Sequence, residues 1–233
     1  MMGEKWMKQV AEGMQDFYRR LTKDGYNPDD VKPALYEVER IVHMEQLRRQ
    51  VLSCTDCSLC GHAKSRVPGT GNTGTPFMIV GEGPGEDEEN WGLPLVGISG
   101  SLLTLILTKA GIRREQIYMT NVVKCRVTDE KGKNRTPARE ETLECSKYLL
   151  RELEIIRPRV VLALGKVALQ FFFPDMKTMS QFRGNVYDYN GIKVVPTWHP
   201  AYIVRQRGDA LARSKREVWS DLKVAIECAK RNG

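Results

Sequence analysis

Apolar residues along the chain follow two periods. Near the N-terminus, Trp6, Val10, Met14, Phe17 and Leu21 recur every three to four residues, a stripe that predicts an amphipathic helix. The segment Asp24-Gly25-Tyr26-Asn27-Pro28 breaks it, and a second helix is expected from about Val31 to Val51. Residues 1–50 therefore read as a helical extension, with residues 51–233 as the main domain. The extension is open either to a protein partner or to packing on the main body. Cys54 to Thr75 carries many Gly, Ser and Lys residues and no clear period, so it reads as a loop. Beyond it, short apolar runs alternate with helical stretches. Strands are expected at Phe77–Val80, Ile117–Val123, Val160–Leu164 and Lys193–Thr197. Helices are expected at Leu102–Ala110, Pro137–Ile156, Lys166–Phe173 and Asp209–Lys230. This order predicts an α/β three-layer sandwich around a four-stranded, mainly parallel sheet. Thr136-Pro137 supplies a hydroxyl cap followed by proline, a helix start, and Gly111 a helix stop.

Each expected strand leads into glycine or a polar residue: Gly81-Glu82-Gly83, Asn121, Gly165-Lys166 and His199. Ligands of open α/β sheets bind outside the carboxyl ends of the strands, so these residues are expected to share one crevice. At 233 residues the chain can bury a full core, and no apolar run approaches the length of a membrane span. The charged first thirty residues do not resemble a signal peptide, so a cytoplasmic protein is expected.

Charge and cysteine add chemistry. Lys plus Arg exceeds Asp plus Glu by 36 − 29 = 7, yet residues 1–150 hold 21 of each sign, and residues 151–233 hold 15 basic against 8 acidic. A one-sided basic excess suits a phosphate-backbone partner, although a solvated face also produces one. Six cysteines stand at 54, 57, 60, 125, 145 and 228. In a reducing compartment C-x-x-C-x-x-C reads as metal or cluster ligation. Zinc wants a second tight pair; a 4Fe-4S cluster accepts dispersed cysteines, which favours iron-sulfur.

Other motifs are weaker. Gly69-Thr70-Gly71-Asn72-Thr73-Gly74 has dinucleotide-loop spacing but precedes the first strand, and no phosphate-binding G-x-x-x-x-G-K-[ST] occurs. Gly81 to Glu89 is rich in glycine and carboxylates, which suits either a base that orients water or an exposed acidic loop. Of three histidines, His199 at a strand end is the one placed for chemistry.

Several of these segments together resemble the family 4 uracil-DNA glycosylases, the iron-sulfur branch of that superfamily in bacteria and archaea. They are Cys54-Thr55-Asp56-Cys57-Ser58-Leu59, Val80 to Glu88, Gly92-Leu93-Pro94-Leu95-Val96-Gly97, Thr120 to Arg126, Asn134-Arg135-Thr136-Pro137, Ala163-Leu164-Gly165 and His199-Pro200-Ala201-Tyr202-Ile203. The resemblance spans about Cys54 to Ala229. It implies hydrolysis of the bond between uracil and deoxyribose in single- or double-stranded DNA; a monomer is expected. It implies 4Fe-4S ligands Cys54, Cys57, Cys125 and Cys145, leaving Cys60 as a bystander thiol or a competing ligand. Asn121 would read the uracil edge. His199 and the Gly83 N–H would stabilise leaving-group charge, Glu88 would place the water, and Glu82 would shape the loop. Ile203 with Tyr202 would fill the gap left by the flipped base, and Arg205, Arg207, Arg213, Lys215 and Arg216, which follow, could hold phosphates. The family has an aromatic residue, usually Phe, where Leu95 stands. Leu95 keeps open two rivals: altered base specificity, and a noncatalytic iron-sulfur damage binder or electron carrier. Asn121, Glu88 and His199 together argue for catalysis.

Overall fold

The computed structural model describes residues 2–230, with side chains from residue 13 onward. In chain order the elements are α1 (Met2–Lys23), α2 (Pro28–Leu52), α3 (Ser58–His62), β1 (Thr70–Gly71), β2 (Phe77–Gly81), α4 (Glu86–Trp91) and α5 (Ile98–Lys109). A 3₁₀ turn at Arg114–Gln116 leads to β3 (Tyr118–Asn121) and α6 (Arg139–Ile156). Then follow β4 (Val160–Leu164), α7 (Gly165–Phe172), α8 (Met179–Phe182), β5 (Tyr187–Tyr189), β6 (Ile192–Thr197), α9 (Pro200–Arg205) and α10 (Gly208–Lys230).

The sheet has six strands in the order β1-β3-β2-β4-β6-β5. The four expected strands form its parallel centre, β3-β2-β4-β6. Two short antiparallel edges, β1 on β3 and β5 on β6, were not expected. Phe-Met-Ile-Val and Val-Val-Leu-Ala-Leu are apolar on both faces because helices cover both sides of a parallel sheet. Met78, Val80, Val161 and Val194 face one layer, with α2, α6 and α7 residues; Phe77, Ile79, Leu162 and Val195 face the other, with α5 and α10. Pro196 survives in β6 because it pairs only with Ala163, beyond the stretch that β5 reaches. The β5–β6 hairpin turns at Asn190-Gly191, both with positive φ, and the Asp188 carboxylate accepts the Gly191 N–H at 3.0 Å. Asn-Gly is the sequence signal for such a hairpin.

The expected boundary at residue 50 falls inside α2, whose Met44, Leu47 and Val51 belong to the main core. The last turns of the extension therefore pack on the main domain. On α1, Phe17 is exposed while Met14 and Leu21 are half-buried; the Trp6 and Val10 side chains lie outside the described residues. Thr136-Pro137 does not start α6. The helix begins at Arg139, and the Glu141 carboxylate accepts the Ala138 N–H at 2.7 Å, which leaves Thr136 and Pro137 free to line a cleft. Among the described residues no helix is long and apolar enough to cross a membrane.

Candidate active site and thiol centre

A cleft of about 350 Å³ opens at the carboxyl ends of the central strands. The loop after β2, the Leu95 turn, the segment before α6 and the start of α9 form its walls. Of the expected site residues, Glu82, Gly83, Glu88, Leu95, His199 and Arg205 line it. Ser99, Val127 and Asn134 to Pro137 also line it; the segment Asn134 to Pro137 was part of the resemblance without an assigned role.

His199 caps α9, its Nδ1 accepting the Ala201 N–H at 3.1 Å. The ring proton therefore resides on Nε2, which is free to donate. Burial, assisted by Arg205 and opposed by Glu88, lowers the His199 pKa to about 4, so the ring is neutral at physiological pH. One feature anchors the strand end that carries it, and another leaves it room. The Thr197 hydroxyl donates to buried Asp221 at 2.7 Å, and Arg183 grips both oxygens of that carboxylate at 3.1 and 2.6 Å. Gly165, at φ +83°, carries no Cβ, which would lie 3.0 Å from His199 Cβ.

The two carboxylates of the loop sit in different surroundings. The Glu88 side chain is buried and accepts three backbone N–H groups: Gly85 at 3.0 Å, Val96 at 3.0 Å and Gly97 at 2.9 Å. It clasps the glycine loop to the Leu95 turn, and those bonds occupy most of its acceptor capacity. Glu82 makes no such side-chain contact among the described residues. Burial raises its pKa, partly offset by Arg205. The Gly83 N–H has no protein acceptor among the described residues.

Asn121 ends β3 and is 1% exposed, and neither polar atom of its carboxamide has a partner. It does not itself line the cleft. It abuts Gly81, the last residue of β2, where a Cβ would lie 2.3 Å from Asn121 Oδ1 and 3.3 Å from Leu95 Cδ2. Leu95, which lines the cleft, and the Asn121 carboxamide thus both abut Gly81. It sits at φ +57°, with its carbonyl held by Arg114 at 2.8 Å.

Ile203, expected as the wedge, is fully buried, whereas its neighbour Val204 is exposed. Tyr202 stacks on Trp198 with ring centroids 4.7 Å apart.

Five cysteines converge on a second pocket, between the loop that follows α2, α3, the loop after β3, and α6. Cys60 Sγ lies 3.8 Å from Cys54, 4.0 Å from Cys57 and 3.9 Å from Cys125. Cys145 Sγ accepts the Lys124 N–H at 3.2 Å. Arg66 braces the loop by donating to the Cys54 and Cys60 carbonyls, both at 3.1 Å. Burial pushes the Cys54, Cys57 and Cys125 thiols up and Cys145 up to about 11. Among the described residues no group of His, Cys, Asp or Glu closes around a single metal ion. The donor set does suit a cluster: a 4Fe-4S cube takes four thiolates, five thiols are present, and positive iron offsets the cost of ionising buried sulfur.

A sequence model of the Uracil DNA glycosylase superfamily matches residues 68–223, which include both ends of the cleft. The chain belongs to that superfamily. It is 44% identical over 192 residues to the type-4 uracil-DNA glycosylase of Thermotoga maritima, covering 82% of this chain and 96% of that protein. It is 38% identical to the type-4 enzyme of Archaeoglobus fulgidus, covering 81% of this chain and 94% of that protein. A third type-4 uracil-DNA glycosylase, from Saccharolobus solfataricus, is 38% identical over 68% of this chain and 76% of its own length. The superfamily match begins after α1 and α2, so the helical extension lies outside it.

Proposed function

We propose that this protein is a DNA-repair glycosylase that hydrolyses the bond joining uracil to deoxyribose and leaves an abasic site. The observation that carries this reading is the Asn121 carboxamide, buried and unpartnered at the end of β3, paired with Gly81 just before the cleft-lining Glu82. An unsatisfied buried amide costs free energy, and a uracil edge, with an acceptor O4 beside a donor N3–H, answers both of its polar atoms. Cytosine presents the opposite pattern there and is refused.

The base must leave the stack to enter, which costs a few kcal/mol. Arg205, on the cleft wall, is the cation placed for the adjoining phosphate. As the glycosidic bond breaks, negative charge gathers on the uracil O2. The neutral His199 Nε2–H and the Gly83 N–H supply donors for it without changing protonation. Glu82, desolvated and uncommitted, takes the proton of the attacking water, while Glu88 keeps the loop in register. With Ile203 buried, the gap in the DNA is filled by Val204 and Tyr202 at the rim of α9.

The thiol centre fits a 4Fe-4S cluster held by Cys54, Cys57, Cys125 and Cys145. When bound, the cluster supplies folding free energy by tying residues distant in sequence together. Asp56 on the same loop already pairs with Lys147 of α6 at 2.6 Å. The protein is read as a cytoplasmic monomer.

Single-turnover incubation with a uracil-containing single-stranded oligonucleotide, followed by alkaline cleavage, tests the reading. Cleavage at uracil and none at thymine or cytosine is expected. An inert protein, or one that cuts only at hypoxanthine or xanthine, overturns it.

A further inference from the structure

The cleft chemistry makes no use of Lys124, a lysine 1% exposed in the core. Its Nζ donates to Thr120 Oγ1 at 2.6 Å, to the Asn121 backbone carbonyl at 2.8 Å and to Glu152 Oε2 at 2.8 Å. The other Glu152 oxygen accepts the hydroxyls of Tyr118 and Thr120, each at 3.1 Å. All three ammonium protons are thus used, and both carboxylate oxygens are engaged.

A buried ion pair of this kind contributes little stability over apolar residues of similar size. What it contributes here is geometry. The Asn121 side chain has no hydrogen bond of its own, so its direction depends on where its backbone is held. The Lys124 ammonium fixes that backbone at the carbonyl, just where β3 ends. The main chain of Lys124 is fixed in turn, its N–H donating to Cys145 Sγ and its carbonyl accepting the Val67 N–H at 2.7 Å. One residue therefore anchors the carboxamide to α6 and to the thiol pocket.

We propose that Lys124, with Glu152 as its counter-ion, is a positioning residue that sets the Asn121 carboxamide for base recognition. The inference rests on Asn121 being the base reader.

Lys124→Met alone leaves Glu152 buried and unpaired, so the informative protein is Lys124→Met with Glu152→Met, which removes both charges. Thermal unfolding and iron content report whether it folds. Single-turnover kinetics on uracil DNA then separate substrate affinity from the chemical step. The expected result is a folded protein with DNA affinity retained and a chemical step slower on the order of 100-fold, the scale of a reactive group misplaced by about 1 Å. Asn121→Ala should slow the wild type strongly and the double variant hardly further, since the two act as one unit.

A folded double variant with wild-type rate, or an Asn121→Ala penalty undiminished in that background, overturns the proposal. Should the double variant fail to fold, Glu152→Gln, which keeps the shape and loosens the grip on Lys124, is measured with the same Asn121→Ala cycle and judged by the same outcomes. Wild-type protein inert on uracil DNA would instead overturn the functional reading itself.

Discussion

Replacing each cleft carboxylate by its amide separates the clasp from the base. In Glu88→Gln, one oxygen can still accept the Val96 and Gly97 N–H groups, but the new amide nitrogen then faces the Gly85 N–H, donor against donor. A buried donor left unsatisfied costs about 1–3 kcal/mol. The two surviving bonds lose their charge assistance, which roughly halves them and adds about 1 kcal/mol more. The expected loss is about 2–4 kcal/mol, or about 5–15 °C in melting temperature for a chain of this size. Because the clasp joins the Gly83 loop to the Leu95 turn, KM should rise and kcat should fall together. Glu82→Gln should behave in the opposite way. Its folded pKa is raised, so at neutral pH the ionised carboxylate costs stability, a cost that disappears as pH falls and the group is protonated in both states. The amide should therefore melt at or above the wild-type temperature near neutrality, with the difference closing in acid. Its single-turnover rate should fall by about 10²- to 10⁴-fold. Differential scanning calorimetry across pH, with single-turnover cleavage of a uracil oligonucleotide, measures both. The reasoning fails if Glu88→Gln keeps the wild-type melting temperature but loses the chemical step, while Glu82→Gln cleaves normally.

His199 should contribute no limb near its ordinary range, because its pKa is held at about 4 and the neutral donor form persists down to that pH; any acid limb of the wild-type pH–rate profile should belong to Glu82, whose pKa is raised, and a limb near 6.5 that survives in Glu82→Gln would refute this. Leu95→Phe should restore base stacking, about 1–3 kcal/mol in uracil affinity, at the expense of overpacking a nearly buried left-handed position by about 1–3 kcal/mol; parallel binding and melting measurements check it, and unchanged affinity would mean that the pocket has repacked around leucine. Cys60→Ser should keep iron, sulfide and brown colour, whereas Cys125→Ser or Cys145→Ser should lose cluster, solubility or both; bleaching by Cys60→Ser but not by Cys145→Ser would move the ligand set to the local triple.

The amino-acid pattern alone determined the parallel centre of the fold. Runs such as Val160–Leu164 are apolar at every position, and only a sheet covered on both faces buries such a run. The alternation with helical periods then fixed the three layers, and glycine or polar residues at the strand ends marked the crevice. The edge strands carry too few residues to show a period, and β1 is two residues long; its existence depends on β3 being there to pair with. Side-chain surroundings were decided by tertiary contacts. Glu82 and Glu88 lie on one acidic loop, and nothing in their spacing tells which one meets the N–H groups of Val96 and Gly97, because that depends on how the Leu95 turn folds back. Ile203 and Val204 are adjacent apolar residues, and only the packing of α9 decides which is buried. Nothing in the sequence around Lys124 marks it as buried; its burial required Glu152, 28 residues further on in α6, to arrive with the opposite charge. Local sequence encodes periodicity and turn chemistry, whereas desolvation and pairing are properties of neighbours brought together by the fold.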